Sequence, residues 1–187
     1  MAVLTGNSMV RLTCGSILVL FLGVVLGAQL HASELITDRA GEYRVKAAFI
    51  YNFMAFTQWP ELTGQTLNLC IYGKDHFGEE IDELETKTIN RLVIHVSRLA
   101  SLEKVNGCQV LFISQSEAGQ IPGILDKLHE LAILTISDNP NAASKGIMIN
   151  MSLIENKIKF EINLKSARLA KLSISARLLQ LASRVYQ

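Results

Sequence analysis

VLFISQSEAGQIPGILDKLHELAILTIS, residues 110–137, decides the fold. It opens with VLFIS (110–114) and closes with LAILTIS (131–137), two continuous apolar runs that lack the alternation of a half-solvated strand. Strands buried on both faces of a mostly parallel sheet read this way. Between them, GQIPGILDKLHEL (119–131) spaces Ile124, Leu125, Leu128 and Leu131 along one helical stripe. Pro122 falls near the first turn, where a missing N–H is no loss. Strand, helix and strand in that order make a right-handed βαβ unit.

The same alternation continues upstream. TLNLCIYG (66–73) is a strand closed by Gly73, and a helical segment follows from about Phe77 to Glu85 with Ile81 and Leu84 facing in. RLVIHVS (91–97) alternates Leu92, Ile94 and Val96 with Arg91, Val93 and His95, the period of a strand with one better-covered face. Earlier still, DRAGEYRVKAAFIYNFMAFT (38–57) aligns Tyr43, Ala47, Ile50, Met54 and Ala55, widened by Val45, Ala48 and Phe49, so a largely buried helix is expected. It stops near Gln58, because Pro60 disfavours helical geometry at Trp59.

Downstream, GIMINMSL (146–153) and KIKFEINL (157–164) are separated by only Ile154, Glu155 and Asn156. So short a connection joins antiparallel strands, and a hairpin is expected to close the sheet. Ile158, Phe160 and Ile162 alternate with Lys157, Lys159, Glu161 and Asn163, leaving one face of the second strand to water. The tail SISARLLQLASRVYQ (173–187) reads as a helix capped by Ser173 or Ser175, with Ile174, Leu178, Leu181, Ala182 and Val185 inward. The expected fold is one α/β domain over residues 33–187: a mostly parallel central sheet flanked by helices, with a C-terminal antiparallel hairpin and a terminal helix.

The amino end has another character. ILVLFLGVVL (17–26) follows a single charge, Arg11, and precedes small and polar residues up to Ala32, the pattern of a signal peptide cleaved after Ala32 or, alternatively, after Ala28. An anchor left uncleaved is the weaker reading, since a spanning helix needs about 20 apolar residues. Cys14 precedes the apolar run and so cannot be a lipoprotein cysteine. The leader also explains part of the 49 % hydrophobic content and the mean hydropathy of +0.28.

Without the leader, positive and negative side chains balance, which excludes nucleic acid as a general partner. The charges are not evenly spread. Residues 145–187 hold eight Lys or Arg against Glu155 and Glu161. This is either a solvated basic face or a docking surface for an acidic partner or lipid head groups. Two cysteines remain, Cys70 in LNLCIYG and Cys108 opening CQVLFIS. Outside the cytoplasm such a pair is expected to form a disulfide, either structural or a redox-sensitive switch.

Chemistry is sparse. His76, His95 and His129 are isolated, and no Cys-x-x-Cys accompanies Cys70 or Cys108, so neither a metal nor another cofactor is expected. Gly119, Gly123 and Gly146 are single turn glycines, and no nucleotide-binding fingerprint follows a strand. No acid/base pair or nucleophile stands out. Ser137 and Asp138 end a buried parallel strand, where open α/β sheets bind ligands, although a helix N-cap explains them equally well. Trp59, the single tryptophan, is either core packing or part of a partner pocket.

Several segments together resemble the YfiR/HmsC-like periplasmic proteins: KAAFIYNFMAFTQWP (46–60), LNLCIYGKDHFG (67–78), CQVLFIS (108–114), ILTISD (133–138), KGIMINMSL (145–153) and KFEINLKSARLAKLSISARLLQLA (159–182). The last carries Ile-Ser-x-Arg-Leu-Leu, and with it Arg177, which joins Trp59, Ser137 and Asp138 as a candidate partner- or ligand-binding residue. Lys145 and Gly146 stand where the family often has two glycines, and cysteines that some members carry nearby are absent, so a second disulfide is not expected. The resemblance implies a periplasmic repressor that binds the periplasmic sensor domain of an inner-membrane diguanylate cyclase and so limits cyclic-di-GMP signalling and biofilm formation. It also implies relief by an outer-membrane lipoprotein or by reducing conditions, a homodimer, and the family's cysteine pair at Cys70 and Cys108. The alternative is a periplasmic small-molecule-binding module serving another membrane sensor.

Overall fold

The computed structural model describes residues 39–60, 62 and 64–187; the expected leader lies outside the described residues. Residues 39–55 form helix α1, followed by β1 (Thr57–Gln58), β2 (Thr66–Tyr72), α2 (Glu79–Asp82), β3 (Thr88–Ile89), β4 (Leu92–Leu99), β5 (Val110–Ile113), α3 (Ile121–Lys127) and β6 (Leu134–Ser137). The chain ends with β7 (Ile149–Ile154), β8 (Lys157–Asn163), α4 (Leu164–Leu169), β9 (Ser173–Ile174), α5 (Ala176–Leu181) and β10 (Arg184–Tyr186).

Eight strands form one sheet in the order β10-β8-β7-β6-β5-β2-β4-β3. The pairs from β4 through β2, β5 and β6 to β7 are all parallel, so the centre is the mixed α/β sheet that the apolar runs require. All four residues of β5 and all four of β6 are buried. The chain moves from β2 outward to β4, then returns across β2 to β5 and continues to β6 and β7. Strand order therefore reverses between β2 and β5.

Two apolar layers cover the sheet. On one face α1 packs Tyr43, Ala47, Ile50, Phe53 and Met54 against Leu69, Phe112, Ile136, Ile149 and Ile162. On the other, α3 contributes Ile121 and Ile124, and Leu128 follows them, over Leu111, Ile113 and Ile133. The inner stripe of α1 agrees with the sequence reading, except that Val45 and Ala48 are exposed and Ala55 is half-buried. α1 stops at residue 55, short of Gln58. The Thr57 hydroxyl donates to the Phe53 carbonyl at 2.8 Å, and Thr57–Gln58 pair antiparallel with Ile174 and Ser173.

β7 and β8 form the expected antiparallel hairpin, turned by Glu155 and Asn156 at φ 51° and 58°. Two left-handed residues are what a two-residue turn needs for its twist to match the strands. The hairpin does not end the sheet. The tail, read as one helix from residue 173, is helical only over α5. Ser175 is its N-cap, accepting from the Leu178 N–H, and Ile174 lies in β9. Leu181 is exposed, and the Ser183 N–H and hydroxyl both donate to the Phe160 carbonyl at 2.8 Å, ending the helix. Arg184–Tyr186 then pair in parallel with β8 as an edge strand.

Candidate functional site

The carboxyl ends of the parallel strands form one rim of the sheet, and α1 begins above it. Asp138, the first residue after β6, is buried there. Its Oδ2 accepts from the Lys46 ammonium at 2.6 Å and from the Tyr43 hydroxyl at 2.7 Å. Lys46 Nζ also meets Glu42 Oε1, one helical turn back, at 2.5 Å, and lies 4.3 Å from the centre of the Tyr43 ring. Tyr43 packs edge-on to Phe77 with ring centres 5.0 Å apart, and its ring is 5.2 Å from that of His76. This places a lysine and a carboxylate, both essentially without solvent contact, inside an aromatic wall. Such a pair is held by attraction against a large desolvation penalty, and needs both members.

The residues beside Asp138 are engaged as well. The Ser137 hydroxyl donates to the Ile113 carbonyl at 2.7 Å, Asn139 Nδ2 donates to the Ser114 carbonyl at 3.1 Å, and Gln115 Nε2 donates to the Asp138 carbonyl at 3.1 Å. The crevice where the strand order reverses is closed by the chain itself: Ser114 Oγ donates to the Lys74 carbonyl, and the Lys74 N–H donates to Ser116 Oγ. Gly73, at φ +90°, makes this possible, because a Cβ there would stand 2.5 Å from Ser116 Oγ. Ser137 and Asp138 thus lie where ligands enter open α/β sheets, in a rim drawn shut by hydrogen bonds. Asp138 Oδ1, Asn139 Oδ1 and both polar atoms of the Asn150 amide are buried without a protein partner.

Arg98 clasps the outer part of this rim. Its guanidinium donates to Asp75, to both carboxylate oxygens of Asp82, and to the Gly78 carbonyl. The Asp82 hydrogen bonds, first, raise its pKa above the ordinary arginine value.

The opposite rim, at the amino ends of the strands, holds the other two candidates. Trp59 Nε1 donates to the Gln109 carbonyl at 3.2 Å, just before β5. Arg177, at the start of α5, lies with its Cζ 5.7 Å from the centre of the Phe56 ring. The Ser175 N–H donates to the Phe56 carbonyl, so β1 and β9 fasten this cluster. Trp59 and Arg177 share one rim, Ser137 and Asp138 the other, and α1 spans the distance between them. The four do not form one site.

Cys70 of β2 and Cys108 are joined by a disulfide with Cα atoms 5.9 Å apart. Both are buried, in the apolar layer that contains Val105, Leu111 and Leu128. Among the described residues, no cluster of His, Cys, Asp and Glu is placed to hold a metal, and no helix is long and apolar enough to cross a membrane.

Sequence reading placed Tyr43 on the buried stripe of α1 but missed Lys46, Asn139 and Asn150 as polar members of the interior. The signal for Lys46 was its spacing: three residues after Tyr43 and four before Ile50, it falls on the buried stripe of α1.

A family model described as YfiR/HmsC-like matches residues 43–183. No curated protein sequence matches the chain. Among solved structures, the ABC domain in complex with L-Trp from Streptococcus pneumonia is similar with a TM-score of 0.47 and 10 % identity. That similarity covers 66 % of this chain and 56 % of the other, so the chain spans little more than half of that structure's length.

Proposed function

Because the chain belongs to the YfiR/HmsC-like family, we propose that it is a periplasmic regulator that binds and represses the periplasmic domain of an inner-membrane diguanylate cyclase. The observation that carries this reading is the family match over residues 43–183, which takes in nearly the whole described fold. On this reading residues 1–32 are a leader removed on export and residues 33–187 act in the periplasm. The protein works by binding and performs no reaction. A small rigid domain represses by holding one state of its receptor more tightly than the other, and it shifts the receptor by no more than that difference.

The disulfide supports a structural role first. Both sulfurs are buried, and thiol exchange needs access to a sulfur, so relief by reductant requires the domain to open near β2 and β5. Release by an outer-membrane lipoprotein and pairing into a homodimer belong to the same reading. Deleting the gene should raise cyclic-di-GMP and biofilm, and the purified protein should bind the purified periplasmic domain of the cyclase. Unchanged cyclic-di-GMP together with no binding rules the reading out.

A second reading, a small-molecule-binding module, is favoured by the unpartnered buried oxygens of Asp138 and Asn139 at the rim where such sheets take ligands. Thermal-shift screening of amino acids and nucleotides tests it, because a ligand at about 100 times its dissociation constant stabilises by about 2.7 kcal/mol. No shift from any of them removes it.

A further inference from the structure

The face of the sheet covered by α3 carries an open apolar hollow of about 320 Å³ where α3 and the turn after it approach α4. Leu125, Leu128, Leu131 and Met148 line it, and Leu169 of α4 stands on its rim with 74 % of its surface exposed. Gly146, at φ +114°, keeps the hollow tight against α3, since a Cβ there would come within 2.9 Å of Leu125 Cδ1. Lys127, Lys145, Lys165 and Lys171 each adjoin a lining residue in sequence, are exposed, and have no ion pair among the described residues. Of the carboxylates, Glu130 itself lines the hollow, its Oε1 3.8 Å from Nδ1 of His129, another lining residue, and Asp126 adjoins the lining in sequence, so the basic side chains around it remain in excess.

We propose that this hollow is a docking site for a protein segment that carries an apolar anchor residue flanked by carboxylates. It deepens the reading that the chain binds the periplasmic domain of a membrane cyclase, and rests on it. The hollow receives the anchor, Leu169 covers it, and the surplus of unpaired lysines selects an acidic surround. A bilayer surface fits less well. Lipid binding asks for an apolar face that projects into the head groups, whereas this one is concave and its helix is only six residues long.

Titration of the full exported chain against the purified cyclase domain tests this, using Leu169→Glu, the pair Lys145→Glu with Lys165→Glu, and Val93→Glu as control. Val93 is another exposed apolar residue, on β4 at the far side of the sheet. Circular dichroism and the thermal midpoint establish that each variant folds. Leu169→Glu and the lysine pair should each weaken binding by about tenfold or more, the control should bind normally, and wild-type affinity should fall as salt rises from about 50 to 300 mM. If wild type does not bind the domain, the functional reading fails. If wild type binds and the folded variants bind equally well, the hollow is not the site. Loss of self-association or of binding to anionic vesicles, with cyclase binding retained, likewise overturns the proposal in favour of a second copy or of lipid.

Discussion

Lys46 Nζ and Asp138 Oδ2 meet at 2.6 Å across a sequence separation of 92 residues, and neither side chain has more than 1 % of its surface exposed. The contact ties the first described helix to the end of β6, and it has a definite energetic asymmetry. Removing one partner leaves a buried charge uncompensated, which costs about 3–5 kcal/mol, whereas replacing both by apolar groups is often neutral or stabilising. Lys46→Met, which leaves the buried Asp138 without a cation, should lower stability by an amount of that order. Asp138→Leu should cost less because Lys46 keeps Glu42 at 2.5 Å, and the double variant should recover much of the Lys46→Met loss. Urea unfolding of the four proteins measures this. Additive losses would show that the two charges do not support each other.

Cys70–Cys108 closes a sequence separation of 38, for which chain entropy gives roughly 4 kcal/mol, less any strain. The Cys70→Ser/Cys108→Ser variant should therefore unfold at much lower urea than wild type. Because both sulfurs are buried, reduction of the native protein by dithiothreitol should be slow and should quicken in mild urea, followed by mass spectrometry after thiol alkylation. Rapid reduction without denaturant would mean that the bridge is accessible and suited to sensing.

Trp59 reports on the same region. Its indole bonds to the carbonyl of Gln109, next to Cys108, and the Gln109 side chain accepts the Asn68 N–H at 2.9 Å. Reduction of the disulfide should shift the emission of this single tryptophan. Trp59→Phe should cost about 1 kcal/mol for the lost hydrogen bond, beyond any change in packing. An emission spectrum indifferent to reduction would uncouple the two.

Arg44 and Glu80 link α1 to α2 through an exposed hydrogen bond at 2.8 Å. That bond, first, holds the Glu80 carboxyl below its ordinary pKa, partly opposed by desolvation and aided by the arginine's charge. A carboxyl lowered by folding adds stability above its unfolded pKa, and that stability disappears as pH falls through the folded value. Arg44→Ala should raise the Glu80 titration midpoint and flatten this acid-side slope. Carbon-detected NMR titration of the Glu80 carboxyl reads the midpoint directly, and no movement would show that the pair does not form in solution.

Much of this architecture was legible because a parallel sheet covered on both sides forces continuous apolar runs, and VLFI and LTIS have no other comfortable reading. The hairpin was legible from the shortness of its connection. What escaped was of two kinds. β1, β3, β9 and β10 have two or three residues each, too few for any period to register, and the tail RLLQLASRVY satisfies a helical repeat until Ser183 bonds to Phe160 and turns the chain into the sheet. The polar interior escaped for a different reason. The spacing of Lys46 from Tyr43 and Ile50 puts it on the inner stripe, but its charge reads as surface, and the partner that lets it stay inside, Asp138, lies far along the chain. The candidates Ser137 and Asp138 were correctly placed on a strand end, but the closing of their crevice depends on loop contacts at Gly73, Lys74 and Ser116 that no local pattern encodes.

α1 is bolted at one end to the ionic cluster and at the other to the strip formed by Thr57, Gln58 and their partners on β9. Anything that tilts it must work against both fastenings at once. Between these fastenings Tyr43, Ala47, Ile50, Phe53 and Met54 are buried against the sheet, so the helix is gripped along its whole length and does not shift without unpacking that layer.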